Sequence, residues 1–138
     1  MNNVRNIIKK SETQFAEIYL SDGILFYDYK PMNELSLKVA EECVQDRILF
    51  SNKTTYPCLF NIQSVKEVSK DARDYLANEG NQYILASAIV ISSPIVKMLA
   101  NFFIRVNKPK NPTKIFTDEV NAVEWLNQFN KTNDTVTK

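Results

Sequence analysis

The chain has 138 residues, enough for one domain with a real core and too few for two of ordinary size. Its 17 Lys and Arg offset 16 Asp and Glu to a net charge of +1, so no global field recruits nucleic acid or an anionic membrane surface. It contains no histidine and only two glycines, Gly23 and Gly80, which removes Ser-His and Cys-His nucleophile activation and histidine metal ligation, and leaves no material for a P-loop or a dinucleotide fingerprint.

The first ten residues lack the continuous apolar core of a signal peptide, and no later run approaches the length that spans a bilayer, so a cytoplasmic location is expected. Phe15 to Leu20 and Ile24 to Tyr29 are rich in β-branched and aromatic residues and flank Ser21-Asp22-Gly23, a pattern that predicts a hairpin because Asp-Gly adopts positive φ readily. From Asn33 to about Phe50, Leu37, Ala40, Val44 and Ile48 recur at helical spacing, with Leu35, Val39 and Cys43 on the neighbouring stripe, which predicts a helix with one broad inner face. Tyr56 to Ile62 is short and nearly all apolar, as a central strand covered on both faces would be. Ser69 then caps a helix carrying Ala72, Tyr75 and Leu76 on one side and ending near Gly80.

Ile84 to Ile91 reads as a second buried strand, and Ser93-Pro94 opens a strongly apolar helix. Thr113 to Phe116 is a short strand, and Thr117 the expected cap of a last helix with Ala122, Trp125, Leu126 and Phe129 inside. Residues 12–130 form the expected single domain, followed by a polar, disordered tail from Lys131 to Lys138. The order β-β-α-β-α-β-α-β-α, with a helix in each crossover after the hairpin, implies an α/β fold with a mostly parallel sheet and four helices. Cys43 and Cys58, one in a helical pattern and one in an apolar strand, read as two reduced, buried thiols.

That order, with a leading hairpin and a strand-turn-helix at its middle, resembles the STAS domain family, the SpoIIAA-like fold of bacterial anti-sigma factor antagonists. Leu59-Phe60-Asn61-Ile62-Gln63-Ser64-Val65 resembles the family's central apolar strand and the polar turn after it. Val68-Ser69-Lys70-Asp71-Ala72 falls where the family carries its Asp-Ser-x-Gly phosphorylation switch, and the end of the chain, Ile115 to Leu126, is similar to small uncharacterised STAS-like proteins. The resemblance implies a sandwich of N-terminal hairpin and βαβαβα units and a non-enzymatic role in protein–protein contact. The switch departs from the pattern, because Ser69 stands at the aspartate position and the acceptor serine is displaced or absent. Ser69, Lys70 and Asp71 are then either an ordinary capped helix start or a degenerate switch that docks a protein partner without phosphate control.

Other features are weighed on the same terms. Arg105, Lys108, Lys110 and Lys114 crowd a proline-bearing loop and read either as a solvated loop or as an anion site. Asp118 and Glu119 complement the dipole of the helix they begin, and no carboxylate or cysteine spacing marks a metal site, so neither metal nor cofactor is expected. Tyr19, Phe26, Tyr27 and Tyr29 lack the basic groove of a nucleic-acid platform and read as packing. Between Pro94 and Val106 the polar stripe is only Lys97, Asn101 and Arg105, so Val96, Phe103 and Ile104 must meet either the helix around Val120 to Val123 or a second copy in a two-fold homodimer. The alternative to a docking module is a carrier holding a small molecule or lipid in an apolar cavity between sheet and helices, for which no residue pattern speaks.

Overall fold

The structure, a computed structural model, describes residues 6–130, apart from the side chains of Ile95, Leu99, Phe102 and Phe103. The tail expected from Lys131 to Lys138 lies outside the described residues. The elements are β1 (Ile7–Glu12), β2 (Ala16–Ser21), β3 (Ile24–Tyr29), β4 (Met32–Leu35), α1 (Leu37–Ser51), β5 (Tyr56–Asn61), β6 (Val65–Val68), α2 (Lys70–Ala77), β7 (Ile84–Val90), α3 (Pro94–Asn107), β8 (Thr113–Phe116) and α4 (Glu119–Asn127).

Six strands form one sheet in the order β1-β2-β3-β5-β7-β8, antiparallel across β1, β2 and β3 and parallel from β3 to β8. The predicted hairpin is β2–β3, with Asp22 at φ 51° and Gly23 at φ 82°. A side chain at position 23 would come within 2.5 Å of the Asn130 amide, which donates to the Asp22 carbonyl and ties the end of the domain to the turn. β5 lies between β3 and β7, the central place expected from its unbroken apolar run.

The parallel strands advance across the sheet in chain order, and right-handed crossovers therefore lay α1, α2 and α3 on one face. Beneath them Leu25, Tyr27 and Tyr29 join Ala40, Cys43, Phe50, Cys58 and Ala72 in one cluster. The opposite face is covered by α4, where Leu59, Ala86, Ala88 and Val90 meet Ala122 and Leu126. The period of two is visible within β5, since Cys58 serves the first cluster and Leu59 the second.

Three local expectations change. The stretch from Asn33 is not helical at its start: Met32–Leu35 is a strand paired in parallel with Val65–Val68 as a separate two-stranded sheet, and α1 begins after Ser36, whose hydroxyl accepts from the Val39 amide. β1 was not anticipated because it has no buried face; every residue of this edge strand is exposed, and Lys9 Nζ donates to the Phe50 carbonyl at 2.6 Å. Asp118 caps α4 in place of Thr117, accepting from the Asn121 amide at 2.8 Å. α2 stops at Ala77, three residues short of Gly80, whose amide donates back to the Tyr75 carbonyl at 2.7 Å and where a Cβ would lie 3.2 Å from Val44.

Trp125 packs between Phe116 and Phe129, with ring centroids 5.8 and 5.0 Å away, and is half-buried. Trp125→Ala should therefore cost measurably less than the about 3–5 kcal/mol of a fully enclosed ring. Urea unfolding followed by far-UV circular dichroism measures it; a loss at the top of that range would place the indole deeper than it sits here.

Candidate functional site

The turn after β6 is built by capping. The Ala72 amide donates to Ser69 Oγ at 3.3 Å and to Asp71 Oδ1 at 3.0 Å, and the Ser69 hydroxyl donates to Asp71 Oδ1 at 2.6 Å. The Ser69 hydroxyl, opposed by slight desolvation and helped by the Ala72 amide, holds the exposed Asp71 carboxyl below its ordinary range. Lys70 is exposed and pairs with Asp74 at 3.2 Å, and Asp74 also accepts from the Asn107 amide at the end of α3. Ser69, Lys70 and Asp71 are thus brought together at one surface edge, with the serine hydroxyl engaged as a helix cap.

On the inner side of the same helix the sheet and the three helices line a partly open cavity of about 130 Å³. Its walls are almost entirely apolar: Tyr27 and Tyr29 of β3, Phe60 of β5, Val68 of β6, Leu76 and Ala77 of α2, and Ile104 of α3 all contribute. Ala77, Gly80 and Ser87 are the small residues of its lining, and α2, which forms part of one wall, is only eight residues long.

Two guanidiniums stand in this wall, those of Arg47 and Arg73, and the first is fully buried. Arg47 lies on the inward stripe of α1 formed by Ala40, Cys43, Val44 and Phe50, and only 2% of it is exposed. Its Nη1 donates to the Gln82 carbonyl and its Nη2 to the Gly80 carbonyl, both at 2.9 Å, so it clamps α1 to the loop leaving α2. Among the described residues the ion pairs are Lys10–Glu17, Lys30–Glu12 and Lys70–Asp74, and Arg47 takes part in none of them. A guanidinium stays charged throughout the physiological range, and two carbonyl dipoles are a partial substitute for a counter-charge. Arg73, half-buried, also lines the cavity and donates from Nη1 to the Val68 carbonyl at 2.9 Å.

Arg47 does not stand out in the sequence because the helical stripe Leu37, Ala40, Val44 reaches Ile48 as the inward residue of that turn. The available signal was a cation at a position in register with Ala40, Cys43 and Val44, which a solvated arginine would not need.

The phenols and the Cys43 thiol of the wall, and the buried Cys58 thiol outside it, are held protonated. Burial pushes the Cys43 thiol up to about 11, helped by the Asp46 and Glu42 carboxylates, and pushes Cys58 up to about 12 against the opposing Arg47 charge. Desolvation raises both the Tyr27 and Tyr29 phenols, and the Tyr27 hydroxyl donates to the Cys43 carbonyl at 3.3 Å. Both cysteines are free and buried. Among the described residues no group of three or more Cys, Asp or Glu side chains is placed to hold a metal ion.

Arg105, Lys108, Lys110 and Lys114 are all exposed. Lys108 is the left-handed cap of α3, and Lys114 reaches over the Phe116 ring on the α4 side of the sheet, whereas Thr113 beside it lines the cavity on the other. Of the residues considered for self-association, Val96 is exposed and Ile104 lines the cavity; the Phe103 side chain lies outside the described residues. The hairpin aromatics pack on one another: Tyr19 stacks on Phe26 with centroids 4.8 Å apart, and Tyr27 lies 4.8 Å from Tyr29 and 5.9 Å from Phe60.

The mixed sheet, with its leading antiparallel hairpin and parallel run, defines a SpoIIAA-like fold. A solved structure described as an uncharacterized protein from the DUF3478 family with a SpoIIAA-like fold, from Shewanella loihica, is similar at a TM-score of 0.57 and 15% identity, over 91% of this chain and 98% of that one. By sequence the chain belongs to the family described as a domain of unknown function, DUF7793, which matches residues 18–130. No curated protein matches it. Among the described residues no helix is long and apolar enough to cross a membrane.

Two measurements follow from the local chemistry. Ser69→Ala should lower stability by about 1 kcal/mol in chemical denaturation, the usual worth of a cap of this kind. The thiols set a pH dependence: unfolded, they release protons near about 8.5, whereas folded they keep them to about 11 and about 12, so the native state binds more protons across that window. Their contribution is complete below the unfolded value and is lost as pH rises through the folded ones. Urea midpoints of the reduced protein should accordingly fall above about pH 8.5; a flat profile to about pH 10 would mean that the thiols titrate freely.

Proposed function

We propose that this protein is a cytoplasmic, non-enzymatic binding module: a small ligand occupies the cavity, and helix α2 carries its presence to a protein partner docked at Ser69, Lys70 and Asp71. The observation that carries this reading is the two-sided placement of α2. Arg73, Leu76 and Ala77 line the cavity, while Lys70 and Asp71 of the same two-turn helix are exposed at its start. So short an element moves as a unit, so a ligand that displaces its inner side chains also displaces its outer edge.

The chemistry of the cavity supports binding over catalysis. Its phenols and its Cys43 thiol are pushed up by burial, and no acid and base of matched strength face one another there. Two free thiols buried in the core suit a reducing compartment. The engaged hydroxyl of Ser69 and the fixed carboxylate of Asp71 favour a docking edge that works without phosphate.

Titration of the full chain with toluene, followed by amide ¹⁵N–¹H correlation spectra, tests both halves. Shifts at Arg73, Leu76 and Ala77 that extend to Lys70 and Asp71 are expected. Shifts confined to the lining residues would break the link to the docking edge, and an unchanged spectrum at saturating toluene would remove the cavity from the function.

A further inference from the structure

The cavity has a size, a wall and a charge, and together these select a ligand. Its volume of about 130 Å³ is close to that of an engineered apolar cavity of about 150 Å³ that takes up benzene in another protein. A lipid chain or a nucleotide is too large for it, whereas a body of one ring or one branched aliphatic group fits. Tyr27, Tyr29 and Phe60 offer aromatic surface to such a body.

Arg47 supplies the selectivity. It is buried, lines the cavity, and commits two of the five N–H groups of a guanidinium to the Gly80 and Gln82 carbonyls, with no ion pair among the described residues. A buried cation without a counter-ion is costly, and an anion that enters beside it removes that cost. The match is to a planar carboxylate: one guanidinium can hold it through parallel N–H bonds and neutralise its single charge. A phosphate dianion would bring a second charge and a third oxygen into walls that are otherwise nearly apolar.

We propose that the cavity binds a small monocarboxylate with an aromatic or branched aliphatic body, its carboxylate paired with Arg47 and its body packed against Tyr27, Tyr29 and Phe60. The inference rests on the cavity reading above and names the ligand class. Arg73 of α2, at the same wall, adds positive potential and connects the anion to the helix that carries the docking edge.

Three compounds of equal size and different charge test it on the intact chain by the same spectra: benzoate, benzyl alcohol and benzamidine. Benzoate should bind with shifts at Gly80, Gln82 and the Arg47 Nε–H, at least about tenfold more tightly than benzyl alcohol, and benzamidine should not enter. Arg47→Met should abolish the preference while leaving benzyl alcohol bound. Should that variant fail to fold, the charge series on the unaltered protein decides alone. Equal affinity for benzoate and benzyl alcohol would overturn the carboxylate inference and leave the cavity reading intact. Failure of all three, together with toluene, would overturn both. Benzoate shifts confined to Lys108, Lys110 and Lys114 would assign the anion to the surface and overturn the inference as well.

Discussion

The arrangement of this protein depends on one constraint: parallel strands laid down in chain order, joined by right-handed crossovers, must put every crossover helix on the same face of the sheet. Three helices therefore share one side, and α4 alone serves the other. On the α4 side the fit is close, with Ala86 and Ala88 of β7 letting Ala122 and Leu126 approach. On the crowded side the middle helix is only eight residues long, and its inner residues cannot fill the span between α1 and α3. The cavity lies on this side, with residues of all three helices in its wall.

Arg47 turns this gap from a packing defect into a candidate site. A hydrophobic residue at position 47 would complete the inward stripe of α1 and avoid the burial of a charge. The guanidinium instead bridges α1 to the loop between α2 and β7, and leaves positive potential in an apolar cavity. Its field reaches Tyr29 and Cys58, where it opposes the effect of burial on both groups. One side chain thus serves as structural clamp and as the polar feature of the cavity.

The turn at Ser69 delivers a helix start to the surface. The serine spends its oxygen on the Ala72 amide and its proton on Asp71. Its hydroxyl is engaged in capping, and the Asp71 carboxylate stays exposed beside it.

Much of the architecture was legible in the residues. Asp22-Gly23 announced the hairpin, the unbroken apolar run from Tyr56 announced the central strand, and Ser69, Ser93 and Pro94 marked helix starts, because each acts through contacts within a few residues of itself. Where partners are distant, local pattern misled. Asn33 to Leu35 read as the start of the helix and belong instead to a strand, because Val65–Val68, far along the chain, offers Met32–Leu35 a ladder. β1 gained its pairing without burying a face, so no alternation betrayed it. The cavity belongs to the same class of fact: it is lined from six strands and three helices far apart in the chain. By itself the sequence determined the helices, the strands of the parallel run, the hairpin, the caps at Ser69 and Ser93 and, through the order of these elements, the fold. Only the tertiary structure decided that Arg47 faces inward with no carboxylate paired to it among the described residues and that a cavity lies beside it, because burial and counter-charge are properties of what surrounds a residue and not of its neighbours in sequence.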